Sequence, residues 1–251
     1  MMRIGFRICG RPYQECLRLA KQLGFTDLEA EWSSALSPTY RPMGRMAKKL
    51  GIKLSAVLTG TAPMSLADFR HAFEDCAAIG AASFTAHPHA LPEDDTGAHG
   101  QFQDLFSAAV ELGRKAGVKL AVHSCGLGPA QWDLMFRLVP GLSLKYDPSF
   151  SAQAGRNYVA EIFRYGPRIV HVHAKDEMPL TRTTDYNSGI IPITYAPAGM
   201  GQIHWGSVIA ALYEVGYEGQ IAIEPHSHYW CTTGYERGLI LAKRHLEQFL
   251  A

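Results

Sequence analysis

Short apolar runs alternate along this chain with longer amphipathic stretches, and a glycine commonly stands between the two. The amphipathic stretches repeat apolar residues at the period of an α-helix, for example over residues 69–77 and 102–109. Glycines that follow such stretches, as at Gly80 and Gly117, are typical of helix ends. The apolar runs that come next predict eight strands, over residues 3–9, 25–30, 52–58, 82–86, 118–123, 142–147, 169–173 and 220–224.

Eight strands that alternate with helices favour an α/β fold, a (β/α)8 TIM barrel, forming a single domain over residues 1–251. A doubly wound open sheet is the alternative. It fits less well, because no G-x-G-x-x-G motif follows the first predicted strand.

Four of the predicted strands end on side chains that can bind a metal ion. In the seventh strand, His171 and His173 are two residues apart, so both point to the same side. Three other strands end on His123, Asp147 and Glu224. Because the carboxyl ends of barrel strands form one rim, where TIM-barrel active sites lie, we expect a single site there.

The predicted site is a metal centre in which His123, Asp147, His173 and Glu224 bind one divalent ion. Two imidazoles and two carboxylates suit manganese, zinc, cobalt or iron better than magnesium or calcium, which prefer oxygen ligands. A hydrogen-bonded polar rim without metal is the alternative. It is less favourable, because burying so many ionisable groups without a cation is costly unless each is paired.

Five segments of the chain together resemble a known family. They are, in chain order, residues 118–125, 146–150, 171–176, 197–205 and 216–224. In these segments the chain resembles the xylose-isomerase-like TIM barrels of the sugar phosphate isomerase/epimerase group. The resemblance implies a metal-dependent enzyme that acts on a sugar or a sugar-derived small molecule. It carries three family metal ligands onto Asp147, His173 and Glu224.

The chain departs from that family pattern at two positions. The family's first ligand is a glutamate, where this chain has His123, and a histidine often found three residues after the aspartate ligand is Phe150 here. In the family's epimerases and isomerases, the first and last glutamates form an acid/base pair on either side of the substrate carbon. This chain therefore lacks one carboxylate of that pair.

The expected reaction is removal of a proton next to the carbonyl of a keto-sugar, through an enediolate. Glu224 is the expected base, His123 or His226 is the second group, and Lys175 is a candidate for stabilising an oxyanion. With one base left, a lyase reaction is the alternative, either dehydration or β-elimination from a keto-sugar, an oxidised glycoside or a cyclitol. Such a reaction needs no reprotonation on the opposite face.

Other polar residues near the predicted strand ends are candidate substrate contacts. These are Glu29, at the predicted end of the second strand, together with His87 and His226. His171 lies one layer deeper than His173 and is expected to support the ligands rather than to bind the ion.

The segment from residue 177 to residue 200, which contains Arg182, Tyr186 and Tyr195, is long for a barrel loop. Loops of this length are commonly functional, so we expect it to fold over the pocket or to form a subunit contact. The expected assembly is a homo-oligomer or a complex with a partner subunit. A partner-dependent or non-catalytic subunit that retains the barrel is a further alternative.

Composition narrows the function classes. The formal net charge is +1 and no Lys/Arg run stands out, which argues against nucleic acid and against an endonuclease IV-like phosphodiesterase on this same barrel. No run approaches the roughly 18 apolar residues of a membrane span, so no membrane association is expected. Five cysteines without CxxC spacing predict reduced thiols and a cytoplasmic location.

Overall fold

Eight parallel strands close into a barrel in the computed structural model, which describes residues 1–179 and 193–250. The barrel strands are β1 (Arg3–Arg7), β2 (Asp27–Trp32), β3 (Lys53–Thr59), β4 (Ser83–Ala86), β5 (Lys119–His123), β6 (Ser143–Tyr146), β7 (Ile169–Ala174) and β10 (Gln220–Ile223). They follow one another around the barrel in chain order, and β10 pairs with both β7 and β1. The predicted (β/α)8 barrel is confirmed.

A short antiparallel pair of strands follows β7 at the carboxyl end of the barrel. Its strands are β8 (Asp176–Pro179) and β9 (Ile193–Ala196). The segment for which the sequence predicts a loop therefore contains paired strands at 176–179 and 193–196. Arg182 and Tyr186 lie outside the described residues.

Helices cover the outside of the barrel. They are α1 (Tyr13–Gln22), α2 (Tyr40–Leu50), α3 (Leu66–Ile79), α4 (Thr96–Ala116), α5 (Pro129–Leu138), α6 (Pro148–Gln153), α7 (Tyr158–Tyr165), α8 (Trp205–Glu214), α9 (His228–Cys231) and α10 (Tyr235–Glu247). Helix α3 begins with a capping box, in which Ser65 and Asp68 satisfy each other's backbone N–H groups. It ends at Gly80, whose φ of 74° is a left-handed conformation that glycine adopts without strain. Among the described helices, none is long and apolar enough to cross a membrane.

The apolar core lies between the strands and the helices. Phe84 of β4 points outward and packs edge-to-face against Phe69 and Phe73 of α3 and against Trp32 of β2. Such aromatic contacts bury large areas and anchor the helices to the outer face of the sheet.

Ionisable side chains line the inside of the barrel in the half that is nearer the carboxyl ends of the strands. Strand register places His123 beside Lys145, and Lys145 beside His171, on the neighbouring strands β5, β6 and β7. Because side chains alternate along each strand, these three residues all point inward at one level. All three are buried.

The predicted strand boundaries differ from the structure by at most two residues. The largest consequence concerns Glu29. Strand β2 continues to Trp32, so Glu29 is its third residue and lies below the rim instead of at the strand end. The sequence misplaces this end because residues 30–32 carry no turn signal that separates strand from loop.

Candidate active site at the carboxyl end of the barrel

Three of the predicted ligands converge at the rim. Asp147 follows β6, His173 is the fifth residue of β7, and Glu224 follows β10. Each offers one ligand atom, and these atoms lie within 4.8 Å of one another. All three side chains are buried, so their convergence comes from the strands and not from mobile surface groups.

Asp147 is held in place as the N-cap of α6. Its Oδ1 atom accepts hydrogen bonds from the backbone N–H of Ser149 (3.0 Å) and from the Ser149 hydroxyl (2.7 Å). The other oxygen, Oδ2, is buried and has no hydrogen-bond partner among the described residues, although the Lys175 ammonium lies 3.0 Å away. Asp147 therefore presents Oδ2 to the centre of the site, where the Lys175 ammonium is its charged neighbour.

Two carboxylates and one imidazole form a donor set that divalent transition ions accept. The short separation of the three donors also fits such an ion. Asp147, His173 and Glu224 are thus the residues that could hold a metal.

His123, the expected fourth ligand, makes different contacts. Its Nδ1 atom accepts a hydrogen bond from the backbone N–H of Cys125 (2.8 Å). Its Nε2 atom lies 2.6 Å from Nζ of Lys145. Both ring nitrogens are thus engaged, and His123 is not part of the group formed by the other three ligands.

Lys145 is a site residue that the sequence reasoning missed. Its side chain is fully buried, and Nζ lies 2.6 Å from His123 Nε2 and 2.7 Å from His173 Nδ1. Burial lowers the pKa of Lys145 to about 8, because the charged ammonium loses its hydration. The available signal was its position two residues before Asp147, which puts both on the inward face of one strand.

The contacts of His123 favour one protonation form of Lys145. Since a backbone N–H donates to Nδ1, the proton of the neutral imidazole lies on Nε2. That N–H points at Lys145 Nζ, a contact that only the uncharged amine form of Lys145 could accept. The pKa of about 8 shifts Lys145 toward this form, but the ammonium still predominates near pH 7.

Lys175 lies between the two carboxylates. Its Nζ atom is 3.0 Å from Asp147 Oδ2 and 2.8 Å from Glu224 Oε2. The same atom lies 4.2 Å from the ring centre of Phe150 and 4.7 Å from that of Tyr195. Burial by itself lowers the pKa of Lys175, but the two carboxylates outweigh it and raise the pKa above its ordinary value. Lys175 is therefore a buried cation at the centre of the site.

Glu224 is the most heavily engaged carboxylate. Arg7 of β1 donates a hydrogen bond to its Oε1 atom. Its Oε2 atom lies 2.8 Å from Lys175 Nζ and 3.2 Å from His173 Nδ1. Burial alone raises the pKa of Glu224, yet Lys175 and His173 hold it well below the usual range. Glu224 is thus held in its ionised form.

Glu29 lies beneath the rim, fully buried. Its Oε2 atom is 2.6 Å from His173 Nε2, and its Oε1 atom is 3.1 Å from His171 Nε2. Its carboxylate lies beside two imidazoles and has no exposed surface, and the expected substrate contact of Glu29 stays a prediction. His171 lies one layer below His173, as the strand pattern predicts.

The two remaining candidate contacts lie near the rim. His87 follows β4 and stacks on His123 with ring centres 4.4 Å apart. Burial and the nearby Lys145 lower the pKa of His87 to about 4, so its ring is neutral at physiological pH. His226 is partly exposed and packs edge-on against Tyr195, with its Nδ1 atom 3.9 Å from Glu224 Oε2. Both rings can face a molecule above the barrel.

Comparison with solved structures places this barrel among related folds. It is similar to a xylose isomerase domain protein from Planctomyces limnophilus (TM-score 0.82, 13% identity, covering 98% of this chain and 96% of that chain). It is similar to the IOLI protein, solved with a binding zinc atom (TM-score 0.77, 16% identity, 100% of both chains). A third similar structure is the apo form of 3-keto-D-glucoside 4-epimerase, YcjR, from E. coli (TM-score 0.75, 13% identity, 97% of this chain and 100% of that chain). At these identities the likenesses show the fold.

The sequence comparisons add the family. A search of curated proteins gave no significant match. The family profile described as xylose isomerase-like TIM barrel matches residues 17–247. Because this match spans most of the sequence and the eight-stranded barrel agrees with it, the chain belongs to the xylose isomerase-like TIM barrel family.

Proposed function

We propose that this chain is a metal-assisted sugar isomerase or epimerase that removes a proton next to a carbonyl through an enediolate. The observation that carries the proposal is the buried group of Asp147, His173 and Glu224, whose ligand atoms converge at the rim where TIM-barrel chemistry takes place. The zinc atom of the similar IOLI structure and the sugar epimerase among the structural neighbours support the same chemistry.

When bound, a divalent ion supplies Lewis acidity, which makes a hydrogen next to a sugar carbonyl more acidic. In this proposal, Asp147 and His173 act as metal ligands. We place the ion on these two residues together with Glu224, and we place His123 beside it.

Glu224 is the proposed base. It is ionised, and Arg7 holds its Oε1 atom, which fixes the direction in which the carboxylate faces. A base must lie within hydrogen-bond reach of the proton that it removes. Lys175, whose ammonium already contacts Oε2, can donate to a substrate oxygen on which negative charge develops.

The lyase reaction is the second candidate, and the contacts of His123 favour it. Epimerisation needs a second proton-transfer group on the far side of the substrate carbon. The position at which the family has a glutamate holds His123, and the ring proton of this histidine already points at Lys145. Elimination from a keto-sugar or an oxidised glycoside needs only the base Glu224 and a leaving group.

The proposal is tested by hydrogen exchange in heavy water. Metal-free protein is reconstituted with manganese, cobalt or zinc and incubated with free ketoses and with 3-keto-glucosides. We expect deuterium at the carbon next to the carbonyl with at least one substrate and metal. Recovery of an isomer or epimer supports the leading reaction, whereas release of the leaving group supports elimination.

The Glu224→Gln variant identifies the base. It keeps the shape of the side chain but cannot accept the proton, so we expect exchange to be lost. Glu31→Gln is the matched control, because Glu31 is the second carboxylate bound by Arg7 (2.7 Å) and does not belong to the ligand group. Undiminished exchange in Glu224→Gln, or an equal loss in Glu31→Gln, would contradict the role of Glu224.

A further inference from the structure

His173 joins two layers of the barrel interior through its two ring nitrogens. The lower nitrogen, Nε2, lies 2.6 Å from Glu29 Oε2. The upper nitrogen, Nδ1, lies 3.2 Å from Glu224 Oε2 and 4.0 Å from Asp147 Oδ2. The nitrogen that carries the ring proton decides whether His173 offers a lone pair to the rim.

The lower contact determines this proton. An ionised carboxylate only accepts hydrogen bonds, so the nitrogen that faces it must be an N–H. At 2.6 Å from Glu29 Oε2, Nε2 is therefore the nitrogen that carries the ring proton, and a ring with one proton keeps a lone pair on Nδ1.

The contact with Lys145 agrees with this tautomer. Lys145 Nζ lies 2.7 Å from Nδ1 and, as an amino group, carries N–H bonds that an unprotonated Nδ1 can accept. Glu224 Oε2, 3.2 Å from Nδ1, belongs to the set of atoms that would surround the same cation. With the proton on Nε2, Nδ1 is available to that set.

Glu29 also lies beside a second imidazole, that of His171. His171 Nε2 lies 3.1 Å from Glu29 Oε1, so each carboxylate oxygen faces one histidine. The contact between β2 and β7 crosses the barrel interior, since β1 and β10 separate these strands in the sheet. A fully buried carboxylate is costly unless it is paired, and the hydrogen-bonded partner of Glu29, His173, belongs to the rim site.

We infer that Glu29 is a positioning residue that holds His173 in the tautomer with its proton on Nε2, so that Nδ1 faces the metal site. The tautomer is a property of the metal-free protein. Only its role, which is to present Nδ1 to a metal ion, rests on the proposed function. Outer partners of this kind typically contribute about 10- to 100-fold to metal affinity.

Metal affinity is the first measurement. Zinc and cobalt dissociation constants are determined by competition with a chelator of known affinity, and the absorption bands of bound cobalt report ligand geometry. We expect Glu29→Gln to bind zinc at least about 10-fold more weakly and to shift the cobalt bands, because the amide no longer fixes the ring proton.

Asp27→Asn is the matched control. Asp27 is an equally buried carboxylate of the same strand, but its partners are Arg3 (2.9 Å) and Ser55. We expect it to lower stability and to leave zinc affinity within about threefold of wild type. Equal losses of affinity in the two variants, or no loss in Glu29→Gln, would overturn the inference.

Nitrogen-15 NMR of the histidine rings in metal-free protein is the second measurement. The wild type should show His173 with its proton on Nε2, and a proton on Nδ1 would refute the inference even if Glu29→Gln does not fold. If the wild type shows the expected tautomer and yet takes up neither zinc nor cobalt, the proposed metal site fails while the positioning role stands.

Discussion

Replacement of Lys175 by methionine tests whether this lysine competes with a bound metal ion or supports its binding. The Lys175 ammonium contacts Asp147 Oδ2 at 3.0 Å and Glu224 Oε2 at 2.8 Å, and these oxygens belong to two of the residues that would bind a metal ion. A cation between two carboxylates repels a second cation placed against the same oxygens. We therefore expect Lys175 to stabilise the metal-free protein and to weaken metal binding.

The expected changes in stability and in zinc affinity follow from the burial of Lys175 and its two carboxylate partners. Removing one partner of a buried ion pair typically costs about 3–5 kcal/mol, because the remaining charge stays buried and uncompensated. In Lys175→Met a bound ion takes over the neutralisation of Asp147 and Glu224. Recovery of only about 1.4 kcal/mol of that cost corresponds to a tenfold lower zinc dissociation constant.

The assay combines urea unfolding of metal-free protein with zinc titration in the presence of a competing chelator. We expect metal-free Lys175→Met to lose about 3–5 kcal/mol of unfolding free energy. Added zinc should restore more stability to this variant than to the wild type. Lys243→Met is the control, because Lys243 pairs with Glu247 within α10 and should change neither zinc affinity nor its linkage to stability.

The reasoning fails if Lys175→Met binds zinc more weakly than the wild type. That result would show that the lysine supports the ion, for instance by ordering the carboxylates. Unchanged metal-free stability would equally contradict the ion-pair account of Lys175.

Three other predictions follow from the same structure. Asp147→Asn should lower metal content by about 10-fold or more by elemental analysis while the circular dichroism spectrum stays native, because Asp147 lies at the rim and outside the apolar core. His123→Glu should bring a carboxylate against Lys145, shift metal preference toward manganese or magnesium and raise any epimerase activity on ketoses; lower epimerase activity would instead show that the histidine transfers protons. Burial raises the pKa of Cys76, so the folded thiol keeps the proton that the unfolded thiol releases near pH 8.5. Wild-type stability should then fall above about pH 8.5 by up to about 1.4 kcal/mol per pH unit relative to Cys76→Ala in urea unfolding, and parallel pH profiles would contradict this.

Local pattern was sufficient to predict the architecture. The eight strands, the glycine-terminated helices and the clustering of Asp147, His173 and Glu224 follow from apolar periodicity and from the rule that barrel strands end at one rim. The alternation of side chains along β7 also placed His171 correctly below His173. These features depend on residues close in sequence, or on a closure rule that all such barrels share.

Contacts across the barrel were decided by the tertiary structure alone. Glu29 meets His173 from a strand 144 residues away, and Lys145 occupies the side of His123 that the sequence assigns to a metal. Strand periodicity tells which side of the sheet a residue faces, but the level at which it meets another strand depends on register, and β6 and β7 shift register between Leu144 and Lys145. The partner of each buried charge is therefore set by how the strands are staggered, which no local run of residues encodes.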